Sequence, residues 1–238
     1  MNNMYYPSYD EFKHLATMGN LVPVYRQLFA DTLTPVSAFQ KISDSENAFL
    51  LESAAGGEKI SRYSFLGANP FIEFTSFVHR IDINRGDKGK EVMHTQYPLE
   101  VLYKEIKSFT PVQVDGLPNF FSCGVGYIGY DTVRCYEALP NIPTDDLSLP
   151  DIHVMFYDSV IIFDHLTKTI KVVCAAKIDE SPLEKIYHEA ITKIDRIIEK
   201  LRTPVMSLSD DITTEKEISV VFSSNFERKK SLPVSYNF

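Results

Sequence analysis

The sequence predicts an α+β fold in which helices pack against antiparallel sheets. Two observations predict it: runs of strand length follow one another without a helix between them, and the helical patterns are short and irregularly placed. The clearest strand pair, 152–164 and 169–178, is joined by a turn at 165–168, so its strands are antiparallel. A doubly wound parallel sheet would instead alternate each strand with a helix.

The N-terminal part is predicted to contain two helices around one strand. Ser8 and Glu11 have the spacing of a capping box, in which each side chain accepts the other residue's backbone N–H. Gly19-Asn20 is predicted to end this first helix. A strand follows at 21–29, and Thr34-Pro35 opens the second helix because Thr caps and Pro is favoured at the first helical position.

The middle of the chain is predicted to be rich in strands, with one helix that begins at Pro98. Arg85-Gly86-Asp87 is typical of a hairpin turn. The predicted strands are 48–53, 62–66, 71–75, 77–83 and 91–95, the helix is 98–109, and a glycine-punctuated strand region covers 119–130.

The last third contains a Pro- and Asp-rich loop at 140–150, the antiparallel pair and the most strongly amphipathic helix. Ser181 is predicted to cap this helix and Pro182 to occupy its first position. We expect one domain over 1–202, followed by a polar linker and divergent tail over 203–238 that includes a brief strand candidate at 218–222. The apolar face of the helix consists of Leu183, Ile186, Ala190, Ile194, Ile197 and Leu201.

Composition excludes several function classes. The 238 residues are 44% hydrophobic and 24% charged, which excludes a disordered or low-complexity chain. A net charge of −8 disfavours nucleic acid or an anionic membrane as a partner. The short basic run 228–230 is interpreted as part of a solvated tail.

The cysteines and the N-terminus indicate a cytoplasmic protein. Cys123, Cys135 and Cys174 are an odd number without CxxC spacing, which favours reduced thiols over disulfides or a zinc site. No segment approaches the roughly 20 apolar residues of a membrane span. The first residues lack a basic region followed by an apolar run, so no signal peptide is predicted.

Residues 124–129, Gly-Val-Gly-Tyr-Ile-Gly, match the dinucleotide-binding pattern GxGxxG literally. That site needs a helix after the glycines, to receive the pyrophosphate at its N-terminus. Here the chain reaches Pro140 within a short distance. We therefore interpret the glycines as structural, permitting close packing or bends in a sheet.

The segment 49–67 contains the most suggestive polar residues. A strand ends in Glu52 and Ser53, a glycine turn follows, and the chain returns through Arg62. Paired strand ends would place these groups together, with Glu52 suited to an ammonium and Arg62 to a carboxylate, as in an amino acid. The alternative, which the residues alone favour, is an ordinary hairpin with a surface salt bridge.

Three segments carry a resemblance to a known family: LLES at 50–53, GGEKISRYSFLG at 56–67 and GVGYIGYDTVRCYE at 124–137. Together with 6–28 and 31–42 they resemble the N-terminal region of anthranilate synthase component I, a chorismate-utilising enzyme. The likeness extends from Tyr6 to about Phe226 in the family's order. The related aminodeoxychorismate synthase component I of the folate pathway is the rival assignment.

The resemblance implies an allosteric site for the feedback inhibitor L-tryptophan. In the family, the LLES segment forms part of that pocket, so Glu52 and Ser53 are expected to contact tryptophan and Leu51 to line the apolar side. Arg62 is the candidate basic group. Tryptophan would act by favouring a state with poor catalytic geometry.

The resemblance also implies an activity that this chain is not expected to perform alone. The family enzyme, a lyase of tryptophan biosynthesis, converts chorismate and ammonia to anthranilate and pyruvate, with ammonia supplied from glutamine by the amidotransferase component II. Its magnesium ligands and catalytic residues lie in a chorismate-binding region that we expect to be absent here, since the likeness ends near Phe226 and Pro233 would interrupt the helix expected next.

We accordingly expect a truncated component I, with no catalytic residue, cofactor or metal in this chain. Its expected partners are tryptophan and either component II or a separately encoded C-terminal half. The alternative is a stand-alone module that binds tryptophan or docks a partner subunit.

Overall fold

The structure, a computed structural model, describes residues 4–43, 47–52, 62–141, 144–145 and 147–204. Within these residues, ten strands form two five-stranded sheets in which every pairing is antiparallel, and four helices pack around them. The predicted α+β class is confirmed. The strand candidate at 218–222 lies outside the described residues, as do most of the predicted linker and tail.

The elements in chain order are α1 (Tyr9–Leu15), β1 (Leu21–Phe29), α2 (Pro35–Ile42), β2 (Ala48–Glu52), β3 (Tyr63–Ala68), β4 (Ile72–Phe77), β5 (Arg80–Asn84), β6 (Lys90–His94), α3 (Pro98–Lys107), β7 (Cys123–Ile128), β8 (Ile152–Tyr157), β9 (Ser159–Asp164), β10 (Thr169–Lys177) and α4 (Leu183–Arg202). The first sheet has the order β1-β10-β9-β3-β2, and the second has the order β6-β5-β4-β8-β7.

The predicted strand 152–164 is wrong as one strand, because it is divided at Asp158 into β8 and β9, which belong to different sheets. The Asp158 carbonyl oxygen accepts the Ala175 N–H at 2.6 Å, and its carboxylate accepts bonds from Ser159 and Lys193. These tertiary partners stabilise the corner. The apolar run shows no break there, so periodicity alone does not locate it.

The strand predicted at 77–83 also has wrong limits. Phe77 is the last residue of β4, and β5 begins at Arg80. Val78 lies in the left-handed region at a φ of 50° and turns the chain between the two strands. The sequence shows no glycine or proline at this turn, which explains the error.

The two faces of the first sheet are both covered. Helices α1, α2 and α4 pack on one face, where Phe12, Val24 and Ile194 are fully buried. The segment 109–121 packs on the other face, around Tyr157 and Ile162. A third core lies between the second sheet and α3. Each fully buried side chain of this size contributes roughly 1.5–3 kcal/mol of transfer free energy, so these cores dominate stability.

Two helix starts follow the predicted capping chemistry. At α1, the Ser8 hydroxyl accepts the Glu11 N–H and the Glu11 carboxylate accepts the Ser8 N–H. At α2, Thr34 caps in the same way, with Ser37 as its partner and Pro35 in the first turn. Both assignments are confirmed.

Two other helix limits are wrong. Helix α1 ends at Leu15, four residues before Gly19, because a turn follows at once and Asn20 is held by Ser108 and Thr110. Ser181 does not cap α4: the helix begins at Leu183, and Pro182 at its N-cap makes no side-chain bond. The Asp179 carboxylate accepts the Ser181 N–H instead.

The glycines of the GxGxxG match lie in and just after β7, an edge strand of the second sheet. A Cβ at Gly126 would overlap the His153 carbonyl oxygen and lie 2.7 Å from Cα of Val154. A short 3₁₀ turn, Tyr130–Cys135, follows instead of a crossover helix. The structural interpretation of these glycines is therefore confirmed.

Candidate functional site

The candidate site lies where β2, β3 and β9 end side by side. Glu52, the last residue of β2, pairs with Ser64 in β3, and Ser64 pairs in turn with Phe163 in β9. Residues opposite one another on adjacent strands project from the same face of a sheet. The register therefore places the Glu52 carboxylate and the Ser64 hydroxyl side by side.

A buried hydroxyl joins two ionisable groups at this site. The Ser64 side chain, whose residue is 1% exposed, donates to Oε1 of Glu52 at 3.3 Å and lies 2.7 Å from Nε2 of His165. Glu52 itself is exposed to solvent and His165 is half-buried. The buried Ser64 hydroxyl therefore links two groups that both lie nearer the surface.

An ion pair lies at the same end of these strands, where the register puts Tyr63 and Asp164 on the face opposite Glu52 and Ser64. Arg62 donates to both carboxylate oxygens of Asp164, from Nη2 at 2.8 Å and from Nε at 3.2 Å, and its guanidinium lies over the Tyr63 ring at 4.8 Å. Burial raises the pKa of Asp164, but the bonds from Arg62 and from the Thr167 and Leu166 amides outweigh burial, so the pKa lies below its ordinary value.

The structure brings some predicted site residues together and not others. Glu52 and Arg62 lie at the same end of β2 and β3, but the partner of Arg62 is Asp164. Leu51 is 43% exposed and pairs with Phe65, so strand alternation places it on the face opposite Glu52. Ser53 lies outside the described residues, as does the rest of the predicted glycine turn.

Sequence reasoning missed Ser64, Asp164 and His165 as parts of the site. A signal for Ser64 exists: it alternates with Tyr63 and Phe65 in β3, so a polar side chain points to the face that also buries Leu66. A buried polar group needs a partner, and that requirement flags the position. One partner, Glu52, is 12 residues away in the chain, and the other, His165, is 101 residues away.

The exposed groups at this site can recognise opposite charges. Glu52 presents a carboxylate, and Arg62, with 40% of its side chain exposed, has no hydrogen-bond partner for Nη1 among the residues described here. A carboxylate attracts an ammonium group, and a free guanidinium nitrogen donates to a carboxylate. Each of the two groups can therefore take one charge of a zwitterion.

Other candidate sites receive less support. A pocket of about 340 Å³ between α2 and α4, lined by Lys193 and Arg196, includes none of the predicted site residues. In the part of the chain that the structure describes, no three His, Cys, Asp or Glu side chains are placed to hold a metal ion. No helix among these residues has the length and apolarity needed to cross a membrane.

Comparison with known proteins gives a consistent result. No protein-family model matches the chain. It is 38% identical over 195 residues to anthranilate synthase component 1 of Acetivibrio thermocellus, covering 82% of this chain and 39% of the relative. The corresponding protein of Aquifex aeolicus is 32% identical, covering 94% of this chain and 45% of the relative. An Arabidopsis thaliana chloroplastic alpha subunit of the enzyme is 34% identical.

A solved structure agrees with these relatives. Anthranilate synthase component I from Streptococcus pneumoniae matches 75% of this chain and 37% of its own, with a TM-score of 0.51 and 27% identity. Fold and sequence together relate this two-sheet α+β chain to that enzyme component. The chain is a homologue of anthranilate synthase component I and spans 39% of the Acetivibrio relative's length.

Proposed function

We propose that this chain supplies the tryptophan-sensing part of an anthranilate synthase component I. The observation that carries the proposal is that Glu52 and Arg62 lie at the same end of β2 and β3, in a homologue of that enzyme component. The proposed ligand is L-tryptophan, and the proposed site residues are Glu52, Ser53 and Arg62, together with Leu51, although its side chain projects from the face opposite Glu52.

Each end of the ligand has a suitable charge at the site. The Glu52 carboxylate would hold the ammonium, and Nη1 of Arg62 would donate to the carboxylate while Asp164 holds the rest of the guanidinium. The Arg62–Asp164 pair restrains the long arginine side chain before any ligand binds. That restraint lowers the conformational entropy that Arg62 loses on binding. It offsets the weaker attraction of Arg62 for the ligand carboxylate that the neighbouring Asp164 charge causes.

Tryptophan would act as a feedback inhibitor by population shift. Its binding free energy is larger in the state where Glu52 and Arg62 are in position, so it raises the population of that state. Linkage makes the effect reciprocal, and substrate would weaken tryptophan binding by the same factor. The catalysed reaction in this proposal is that of the family: chorismate and ammonia give anthranilate and pyruvate.

The proposal assigns that chemistry to a chorismate-binding region outside the 238 residues. No step of it is assigned to the residues described here. The proposed protein partners are a glutamine amidotransferase component II and, where it is encoded separately, the chorismate-binding half. The corresponding test is whether either partner co-purifies with the tagged chain.

Tryptophan binding can be measured directly, because the chain contains no Trp and the ligand supplies the only indole. We expect a saturable change in indole anisotropy on titration. Glu52→Gln and Arg62→Lys should each weaken binding about tenfold or more, as expected for loss of a charge-assisted hydrogen bond. Glu184→Gln, an exposed change in the first turn of α4, is the matched control and should bind normally.

Two tryptophan analogues separate the roles of the charged residues. Tryptamine lacks the carboxylate, so Arg62→Lys should not alter its affinity. Indole-3-propionate lacks the ammonium, so Glu52→Gln should not weaken its binding. Absence of any anisotropy change at millimolar tryptophan with folded protein overturns the proposed function.

A further inference from the structure

Glu52 is an exposed residue at the end of an edge strand, yet its carboxylate is bonded to a buried hydroxyl. Ser64 lies in β3, the strand between β2 and β9, and backbone pairing on both sides fixes its position. The Ser64 residue is 1% exposed, so its hydroxyl depends on protein partners rather than on bulk water. Those partners are Glu52 and His165.

The hydroxyl has a single proton, which it cannot donate to both partners. If the proton points to Nε2 of His165, the Glu52 carboxylate loses its donor. If Nε2 itself carries a proton and donates to Ser64, the hydroxyl can donate its own hydrogen bond to the Glu52 carboxylate. A bond to an ionised acceptor is stronger than one to a neutral ring nitrogen, and this favours the second arrangement.

The imidazole is fixed in place by its own contacts. The His165 backbone N–H donates to the Arg62 carbonyl oxygen at 2.9 Å, which extends the β3–β9 pairing past the end of β9. The ring lies parallel to that of Phe163, with an interplanar angle of 22° and centroids 6.4 Å apart. Backbone and ring contacts together aim Nε2 at the Ser64 hydroxyl.

We propose that Ser64 and His165 are positioning residues for the ligand site: His165, protonated on Nε2, donates to Ser64, and Ser64 holds the Glu52 carboxylate for the ligand ammonium. This inference rests on the proposed tryptophan site, because it explains how residues that do not touch the ligand fix the position of the Glu52 carboxylate. It adds Ser64 of β3 and His165, which follows β9, to a site that the sequence builds from Leu51, Glu52, Ser53 and Arg62.

The first test is a double-mutant cycle on tryptophan affinity. Ser64→Ala should weaken binding about fivefold, the size expected for one hydrogen bond, and should have no further effect in a Glu52→Gln background. Ser76→Ala is the matched control, since Ser76 is buried in β4 and its hydroxyl has no partner among the described residues. It should leave affinity unchanged.

A conservative replacement distinguishes positioning from packing. His165→Gln retains an N–H near the Nε2 position and should bind tryptophan as the unchanged protein does, whereas His165→Leu removes the donor and should lose as much affinity as Ser64→Ala. This pair also replaces the serine test if Ser64→Ala does not fold. The nitrogen shifts of His165 in the free protein should show a proton on Nε2.

The outcomes are separable. Tryptophan binding by the unchanged protein, with equal affinity in Ser64→Ala or with losses that multiply in the double variant, overturns this inference alone. A His165 tautomer protonated on Nδ1 overturns it without reference to any ligand. Failure of the unchanged protein to bind tryptophan overturns the proposed function, and this inference with it.

Discussion

Asp164 accepts two hydrogen bonds from Arg62, although 40% of the arginine side chain and only 2% of the aspartate side chain are exposed. The same carboxylate accepts the backbone N–H groups of Leu166 and Thr167 at 3.1 and 3.3 Å. One buried group therefore holds the start of β3 and the turn after β9. Its charge contributes both to the candidate site and to the stability of the fold.

Replacing the Asp164 carboxylate should make the free energy of unfolding less dependent on pH in the acid range. Because the folded-state pKa of Asp164 is lowered, its contribution is fully present above the unfolded value of about 3.9 and is lost as pH falls through the folded value. We expect Asp164→Asn to lower the free energy of unfolding by about 1–3 kcal/mol at neutral pH. Urea unfolding should show this deficit shrinking below about pH 4.

Asp10→Asn is the control for that measurement. The Asp10 side chain is 89% exposed, and its one ion pair among the described residues is with Lys13 on the surface of α1, so the change should leave the unfolding midpoint nearly unaltered. An Asp164→Asn deficit that stays constant down to pH 2 would contradict the assigned pKa direction.

Two helix-capping positions should respond differently to alanine. Thr34→Ala removes a side chain that accepts the Ser37 N–H and should lower the free energy of unfolding by about 1 kcal/mol. Ser181→Ala should change it by no more than a few tenths, because Ser181 does not cap α4. Thermal unfolding of both variants is sufficient, and equal losses would show that the N-cap of α4 is misplaced.

Gly126→Ala and Gly124→Ala should differ strongly. A Cβ at Gly126 meets backbone atoms of β8, which cannot move without breaking the strand pair, so we expect a loss of about 3 kcal/mol or more. A Cβ at Gly124 lies 3.1 Å from a Val154 methyl, a side chain that can adjust, so its loss should be smaller. Denaturant unfolding measures both, and the reverse ranking would contradict the packing of β7 on β8.

Cys174 should be unreactive in the folded protein. It is 2% exposed, and burial raises the pKa of its thiol to about 12, so almost no nucleophilic thiolate forms at neutral pH. Iodoacetamide labelling followed by peptide mass spectrometry should find Cys174 unmodified in buffer and modified in urea. Rapid labelling of Cys174 under folding conditions would show that β10 is more accessible than described.

Much of the fold could be predicted from local patterns. The capping boxes at Ser8 and Thr34 are short-range chemistry, visible in four residues, and the structure contains both. The antiparallel pairing of β9 with β10 followed from a turn too short for any other connection. The context of GxGxxG likewise decided its interpretation, because a dinucleotide site needs a helix that the sequence does not supply there.

One failure involves contacts between distant residues, and another involves a competing local hydrogen bond. Asp158 divides an unbroken apolar run because Ala175 and Lys193 stabilise the corner, and neither is near it in sequence. Ser181 has the spacing of a cap, yet Asp179 binds its backbone N–H and the helix begins later. Local sequence permits both a continuous and a divided strand, and both an earlier and a later helix start, and tertiary packing decides which forms.

The sequence by itself determined the α+β class, most element positions and the resemblance to anthranilate synthase component I, which its homologues confirm. It also identified Glu52 and Arg62 as candidates for a charged site, but as partners in one hairpin. Only the tertiary structure decided that Arg62 pairs with Asp164 and that Glu52 is held through Ser64 and His165. The physical reason is that hydrogen bonds and ion pairs depend on distance in space, and here they join strands separated by about a hundred residues.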